Sequence, residues 1–340
     1  MIPRDTVFLI LRTLAIAFAG GFLANLVGLS AGWLSGSMIA VTVCAIGRLP
    51  VHVPPRVADA VFIVLGALLG AGITPEIVSR IGAWPLSLAS LLISVLAMVV
   101  AVQVYLVRVA GWDRSTAFYA SLPGALSYVV ALAAASGADL RRVVVGQSIR
   151  LFLLVVAIPA LVSSLEPIVP PTPPPLMAPI PLVLLLAAST AGALVFAALR
   201  VPAAYLTGAL LVSGVAHAAG IVSGTLPPAL TVVAYITLGA MIGGRFVGTD
   251  LAFLRRIAAA SIGAFLVATA IAALCAFAVA AVVDVPLVQI LVAFAPGGLD
   301  TMTALALALH MDSAFVAAHQ LARFVGIAVV APFVARRMPT

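Results

Sequence analysis

Lysine is absent from this 340-residue chain, and only 10 acidic residues stand against 17 basic ones, all of them arginine. Charged residues make up 8% of the sequence, where a soluble domain carries about 25%. That is too little charge to solvate a globular surface of this size, so a soluble fold is excluded. The net charge of +7 does not make a nucleic-acid surface either, because no basic cluster exceeds the pairs Arg141-Arg142, Arg255-Arg256 and Arg336-Arg337. Two cysteines, Cys44 and Cys275, both in apolar runs, cannot build a disulfide framework. The four histidines, His52, His217, His310 and His319, form no His-Glu-x-x-His or Cys-His ligand spacing. No Gly-Lys phosphate loop or serine elbow is present, so neither an enzyme nor a bound cofactor is expected.

What the chain has instead is hydrophobicity, at 64% of residues, and a repeat. Pro123, Gly124, Leu126, Ala131, Leu132, Asp139, Gln147, Arg150 and Pro159 return 173 positions later as Pro296, Gly297, Leu299, Ala304, Leu305, Asp312, Gln320, Arg323 and Pro332. Leu65-Gly66-Ala67 with Gly70 returns as Leu238-Gly239-Ala240 with Gly243, and Leu34-Ser35-Gly36 as Leu206-Thr207-Gly208, the latter one residue out of step. A duplicated apolar unit that keeps a Pro-Gly break and an arginine in each copy has the pattern of a transporter-like membrane fold. The spacing predicts a first repeat over 1–163, a Pro-rich linker over 164–178 and a second repeat over 179–340.

Apolar runs near the length needed to cross about 30 Å of hydrocarbon lie at 6–29, 32–47, 57–74, 83–107 and 140–162, and again at 180–199, 203–221, 229–247, 257–282 and 313–334. A sixth segment in each copy, 115–136 and 287–309, is broken by Pro-Gly and cannot be one straight helix. If all six cross with the N-terminus inside, the loop arginines divide 8 inside to 7 outside. If the broken segment enters and leaves on one side, the division becomes 14 to 1. The positive-inside rule therefore selects an all-α polytopic membrane protein of five crossings plus one re-entrant segment per copy. An odd number of crossings makes the two repeats inverted. Helical spans point to a bacterial inner membrane, since outer-membrane proteins are barrels. The Gly32/Gly36, Gly66/Gly70 and Gly239/Gly243 pairs predict close helix contacts, and Trp33, Trp84 and Trp112 read as interfacial anchors.

Asp139, Gln147 and Arg150 share one helix face, as do Asp312, Gln320 and Arg323, and each arginine falls about 16 Å beyond its aspartate, near mid-membrane. An arginine at that depth needs water, a carboxylate, a carbonyl or an anionic ligand. Either the two arginines hold a ligand, or they staple the carbonyl ends of the broken helices. Pro123 and Gly124, followed by Ser127 and Tyr128, and Pro296, Gly297 and Gly298, followed by Asp300, Thr301 and Thr303, open half-helices whose N-terminal ends favour an anion or polar group. The alternative is a packing kink. Asp300, which has no acidic counterpart in the first copy, reads as an ion-coupling carboxylate or as an N-cap. His319, whose counterpart is Gly146, reads as a proton-linked group or as a satisfied helix residue.

The residues Leu122-Pro123-Gly124-Ala125-Leu126-Ser127, Gly137-Ala138-Asp139 and Gln147-Ser148-Ile149-Arg150, with Ala295-Pro296-Gly297-Gly298-Leu299, Met302, Asp312, Gln320-Leu321-Ala322-Arg323 and Pro332, carry a resemblance over nearly the whole chain. They are similar to the membrane-protein family named for the AbrB duplication, some members of which bear the labels ammonia monooxygenase or regulator of aidB. Such proteins often have Glu where this chain has Thr301, with an acid one position earlier at Asp300. A copper monooxygenase needs a histidine cluster that this sequence lacks. The expectation is a secondary transporter for a small anionic or polar metabolite, with a membrane-embedded sensor acting on gene expression as the alternative. The expected partners are the lipid bilayer and a small-molecule ligand, with a homodimer left open and no nucleic acid.

Overall fold

Proline and aspartate mark where the helices of this chain begin. The computed structural model describes residues 4–73, 82, 84–124, 126–134, 136–165, 175–201 and 203–335, and among these described residues each repeat contributes seven helices. The first repeat gives α1 (Arg4–Leu26), α2 (Gly32–Ile46), α3 (Pro55–Ala71), α4 (Trp84–Arg108), α5 (Arg114–Ser121), α6 (Leu126–Ala134) and α7 (Leu140–Leu165). The second gives α8 (Pro179–Ala198), α9 (Ala204–Ala218), α10 (Pro228–Gly244), α11 (Leu251–Ala280), α12 (Leu287–Phe294), α13 (Leu299–Ala308) and α14 (Ser313–Ala335). Proline opens α3, α8 and α10, where its missing N–H costs nothing. Asp113 and Asp250 cap α5 and α11 by accepting from the Thr116 and Phe253 N–H. That cap starts α11 ahead of the apolar run and draws Arg255 and Arg256 into its first turns.

The protein is an all-α polytopic membrane protein. Among the described residues six helices, α1, α4, α7, α8, α11 and α14, are long and apolar enough to cross a bilayer. The helices α2, α3, α9 and α10 have 15 to 17 residues, about 22–26 Å of rise, somewhat short of the hydrocarbon thickness. The expected Pro-Gly break is present in both repeats, between α5 and α6 and between α12 and α13. In the first repeat the chain returns to where it entered, because the Ser115 hydroxyl donates to Ser136 Oγ at 3.3 Å and the Asp139 N–H donates to Thr116 Oγ1 at 2.8 Å. The two ends of this broken segment therefore lie side by side, as a re-entrant path requires. The expectations that rest on Glu76, Arg80, most of the 164–178 linker, Arg336 and Arg337 lie outside the described residues.

The chain divides into two units. The first comprises Met1–Gly82, Val155–Gly248 and Thr303–Ala314, and so holds the first three helices of each repeat. Two of its seams are glycine contacts exchanged between repeats. A Cβ built on Gly66 or Gly70 of α3 would run into the Leu206 carbonyl or Ser213 Cβ of α9. One on Gly239 or Gly243 of α10 would stand 2.6 or 2.7 Å from the Leu34 or Met38 carbonyl oxygen of α2. The expected small-residue pairs are thus close-approach sites; Gly66/Gly70 and Gly239/Gly243 pack across the repeats, while Gly32/Gly36 packs on Gly20 and Ala24 of α1 within the first repeat.

The second unit comprises Ala83–Leu154, Thr249–Met302 and Phe315–Thr340. Here α4 lies along α11, α5 packs on α4 and α12 on α11. This unit contains both Pro-Gly breaks and both buried arginines. Trp84 and Trp112 are buried within it, against the expectation of interfacial anchors: the Trp84 ring meets the Phe315 ring edge-on at 5.7 Å. Being close to a helix end in sequence did not separate a lipid-facing indole from one packed between helices.

Candidate functional site

Arg150 and Arg323 are each the eleventh residue of their helix, α7 and α14, one turn after Gln147 and Gln320. All four are buried, Arg323 to 1% exposure. In the first repeat Gln147 Nε2 donates to the Tyr119 carbonyl at 2.9 Å, and Arg150 Nη2 donates to the Leu122 carbonyl at 3.0 Å, with Nη1 and the Ala120 carbonyl at 3.5 Å. In the second, Gln320 Nε2 donates to the Val292 and Ala293 carbonyls at 3.4 and 3.1 Å. Arg323 donates to the Ala295 and Gly297 carbonyls and to Gln320 Oε1. The acceptors Tyr119, Ala120 and Leu122 correspond, at the offset of the repeat, to Val292, Ala293 and Ala295.

These carbonyls end α5 and α12, where a helix leaves its last C=O groups without intrahelical partners and presents the negative end of its dipole. A guanidinium meets both needs at once, with fork-shaped donors and a positive charge. The staple reading of the arginines therefore describes their contacts.

The two breaks also meet. Gly124 has φ +85°, a left-handed conformation suited to glycine, and a Cβ there would stand 3.1 Å from the Gly297 carbonyl oxygen and 3.7 Å from Arg323 Nη2. Pro123, Pro296 and Gly297 are buried, and Gly124 and Gly298 half-buried. Thr301 in the first turn of α13 is wholly buried, and its Oγ1 has no hydrogen-bond partner among the described residues. That hydroxyl and the half-buried Asp300 carboxylate flank Gly298, where a Cβ would lie 2.8 Å from Asp300 Oδ1 and 3.7 Å from Thr301 Oγ1. A buried hydroxyl with no partner is costly unless something else meets it. Ser127 lies in α6, with its side chain outside the described residues. The Tyr128 hydroxyl donates to the Ala328 carbonyl of α14 at 2.9 Å.

Asp139 and Asp312 do not join this centre. The Asp139 carboxylate accepts from the Arg142 N–H at 3.1 Å and Asp312 from the Ala314 N–H at 3.0 Å, so both serve the starts of α7 and α14. One shared helix face was a correct reading of angle, but three turns of rise separate the carboxylate from the arginine.

His319 is fully buried among the rings of Trp84, Phe294 and Phe315, with its ring 4.0 Å from that of Phe315. Its Nδ1 lies 2.8 Å from the Phe315 carbonyl and its Nε2 2.8 Å from Ser87 Oγ. The carbonyl can only accept, so Nδ1 carries a hydrogen. The Ser87 hydroxyl lies 2.8 Å from the Trp84 carbonyl as well. If it donates there, Nε2 must also be protonated; if it donates to Nε2, the imidazole is neutral. Ser87 was not legible in the sequence, since a single serine in an apolar helix carries no motif.

The family described as "Transition state regulatory protein AbrB" matches residues 33–338. Among similar proteins are "Uncharacterized protein YhjN" of Bacillus subtilis (strain 168), 28% identical over 94% of this chain and 91% of that protein, and "Putative regulator AbrB" of Escherichia coli (strain K12), 28% identical over 97% of this chain and 96% of that protein. With the match running through both repeats and both Pro-Gly breaks, the chain belongs to the AbrB family.

Proposed function

We propose that the protein is a secondary transporter of the bacterial inner membrane for a small anionic or polar metabolite, acting at the meeting of the two Pro-Gly breaks. The observation that carries this reading is the juxtaposition of Gly124 with the Gly297 carbonyl beside Arg323, where half-helices from the two repeats converge on one centre. Irregular backbone of this kind within a membrane fold is tolerated where it lines a cavity or is buried in protein, and inverted repeats use it to bind solutes. In this proposal Pro123, Gly124, Pro296, Gly297 and Gly298 supply open backbone. Ser127 and Thr301 offer hydroxyls to the solute, while Arg150 and Arg323, braced by Gln147 and Gln320, hold both the helix ends and the positive potential. Asp300 and His319 carry the coupling ion, and the two hydrogen-bond arrangements open to Ser87 give His319 a route to bind a proton without leaving its site.

The test is thermal stabilisation of the purified protein by organic acids, inorganic anions and amines, followed by flux in liposomes under imposed proton or sodium gradients. A ligand that stabilises the parent but not Thr301→Ala, and that moves under a gradient, supports the reading. Absence of flux for every ligand that binds would sink it.

The names of the family and of the E. coli relative favour a second reading, a membrane-embedded sensor that affects gene expression indirectly. A soluble partner that co-purifies in a ligand-dependent way, without flux, would select that reading.

A further inference from the structure

The repeat departs from its own symmetry at one buried position. Gly146 stands in the first copy where the second has His319. In the second copy the imidazole reaches across to Ser87 of α4. In the first copy Ser261 of α11, which matches Ser87 to within one position of the repeat offset, faces Gly146. A Cβ built on that glycine would stand 3.6 Å from Ser261 Oγ and 3.6 Å from the edge of the Trp112 ring. With no imidazole between these helices there is a cavity of about 10 Å³, lined by residues that include Gly146, Trp112, Ala120, Arg150, Ser261 and Phe265.

The polar side chains of this wall can all donate, and the Ser261 hydroxyl can also accept. Ser261 is 3% exposed, and its hydroxyl has no partner among the described residues, not even the carbonyl one turn back that Ser148 uses. Arg150 is 7% exposed, and its carbonyl bonds occupy two of its five N–H donors. Trp112 presents the electropositive edge of its ring. A water here could accept from Arg150 and donate one hydrogen to Ser261 Oγ, but its second hydrogen would face a wall made mostly of carbon. An anion needs no acceptors, and space for about one water-sized sphere admits a single atom and excludes a carboxylate or phosphate.

We infer that this cavity binds one monatomic anion of halide size on the Arg150 guanidinium and the Ser261 hydroxyl. The site goes beyond the transport proposal and does not depend on it, since a resident anion beside the first break offsets one of the two buried arginine charges whether or not any solute moves.

The experiment is the melting temperature of the purified protein at constant ionic strength, with gluconate replaced stepwise by chloride or bromide. The parent should show a saturable rise. Ser261→Ala removes a donor, and Gly146→Ala places a methyl in the cavity at ordinary contact distance, so both should weaken the apparent halide affinity by about tenfold or more. Gly146→Ala should melt in gluconate no lower than the parent, because alanine favours a helix over glycine, which keeps a lost response distinct from misfolding. A bromide anomalous peak between Arg150 and Ser261, absent in Gly146→Ala, would place the ion directly. An equal halide response in the parent and both variants, or none in the parent, overturns the inference; the second result with ordered water in the cavity would name water as its occupant. Solute binding and flux, assayed in gluconate, report on the transport proposal separately.

Discussion

At the scale of single residues, the two arginines do the same work in two places, and their variants should show it. Arg323→Ala leaves the Ala295 and Gly297 carbonyls and Gln320 Oε1 without their donor, at a cost of about 2–4 kcal/mol in reversible unfolding in detergent. Arg323→Lys should fall between parent and alanine, because an ammonium is a point donor that cannot bridge the two carbonyls as a planar fork does. Gly124→Ala should cost about 1–3 kcal/mol, from the left-handed backbone and the 3.1 Å approach to the Gly297 oxygen. The sequence made these positions visible because polar residues repeated at a fixed offset in an apolar chain have few explanations. It could not decide between staple and ligand, since a carbonyl and an anion ask the same thing of a guanidinium. Asp139 and Asp312 misled for a related reason: helical angle is readable from spacing, whereas the role of a carboxylate depends on which N–H groups lie at the helix start.

At the scale of helices, the glycine seams and the caps set the stability of each element. Gly66→Ala and Gly239→Ala should each destabilise by about 1–3 kcal/mol, because the new methyl meets backbone that cannot move aside. Gly244→Ala, with nothing within 4 Å of its Cβ, is the matched control and should be neutral or slightly stabilising. The start of α11 should be acid-sensitive. The Asp250 carboxyl is held below its ordinary value first by the Phe253 N–H it caps and then by Arg141, over the opposing effect of partial desolvation. A depressed carboxyl contributes its stabilisation above the unfolded value of 3.8 and loses it as pH falls through the lower folded value. The difference in melting temperature between the parent and Asp250→Ala should therefore be full at about pH 6 and shrink below pH 3.8. Helix existence was legible from apolar runs and their polar ends. The early start of α11 was not, because a capping aspartate overrides the edge of the hydrophobic run.

At the scale of the whole molecule, the prediction concerns sidedness. In a Cys44→Ala, Cys275→Ala background, single cysteines at Arg114, Arg141 and Arg255 should all react with an impermeant reagent from the cytoplasmic face. The contacts of Ser115 with Ser136 and of Arg141 with Asp250 bring these chain regions to one end of their unit. Opposite reactivity at Arg114 and Arg141 would mean that the broken segment crosses. The arginine count is what this sidedness rests on; the division into two units was not legible, because each unit draws helices from both repeats and sequence order carries no sign of that exchange.

The exchange of glycine seams also bears on how the protein is made. Across the repeats the partner of α3 is α9, and that of α2 is α10, so the whole stretch between the end of α3 at Ala71 and the start of α9 at Ala204 must be synthesised before the first of these exchanged seams can close. At a synthesis rate of about 5–20 residues per second, α2 and α3 wait in the bilayer for at least roughly 7–26 s with the faces that α10 and α9 later cover still open. During that interval those faces are open to the corresponding helices of a neighbouring nascent chain. Slowing translation between α3 and α9 should therefore raise the yield of interlocked dimers.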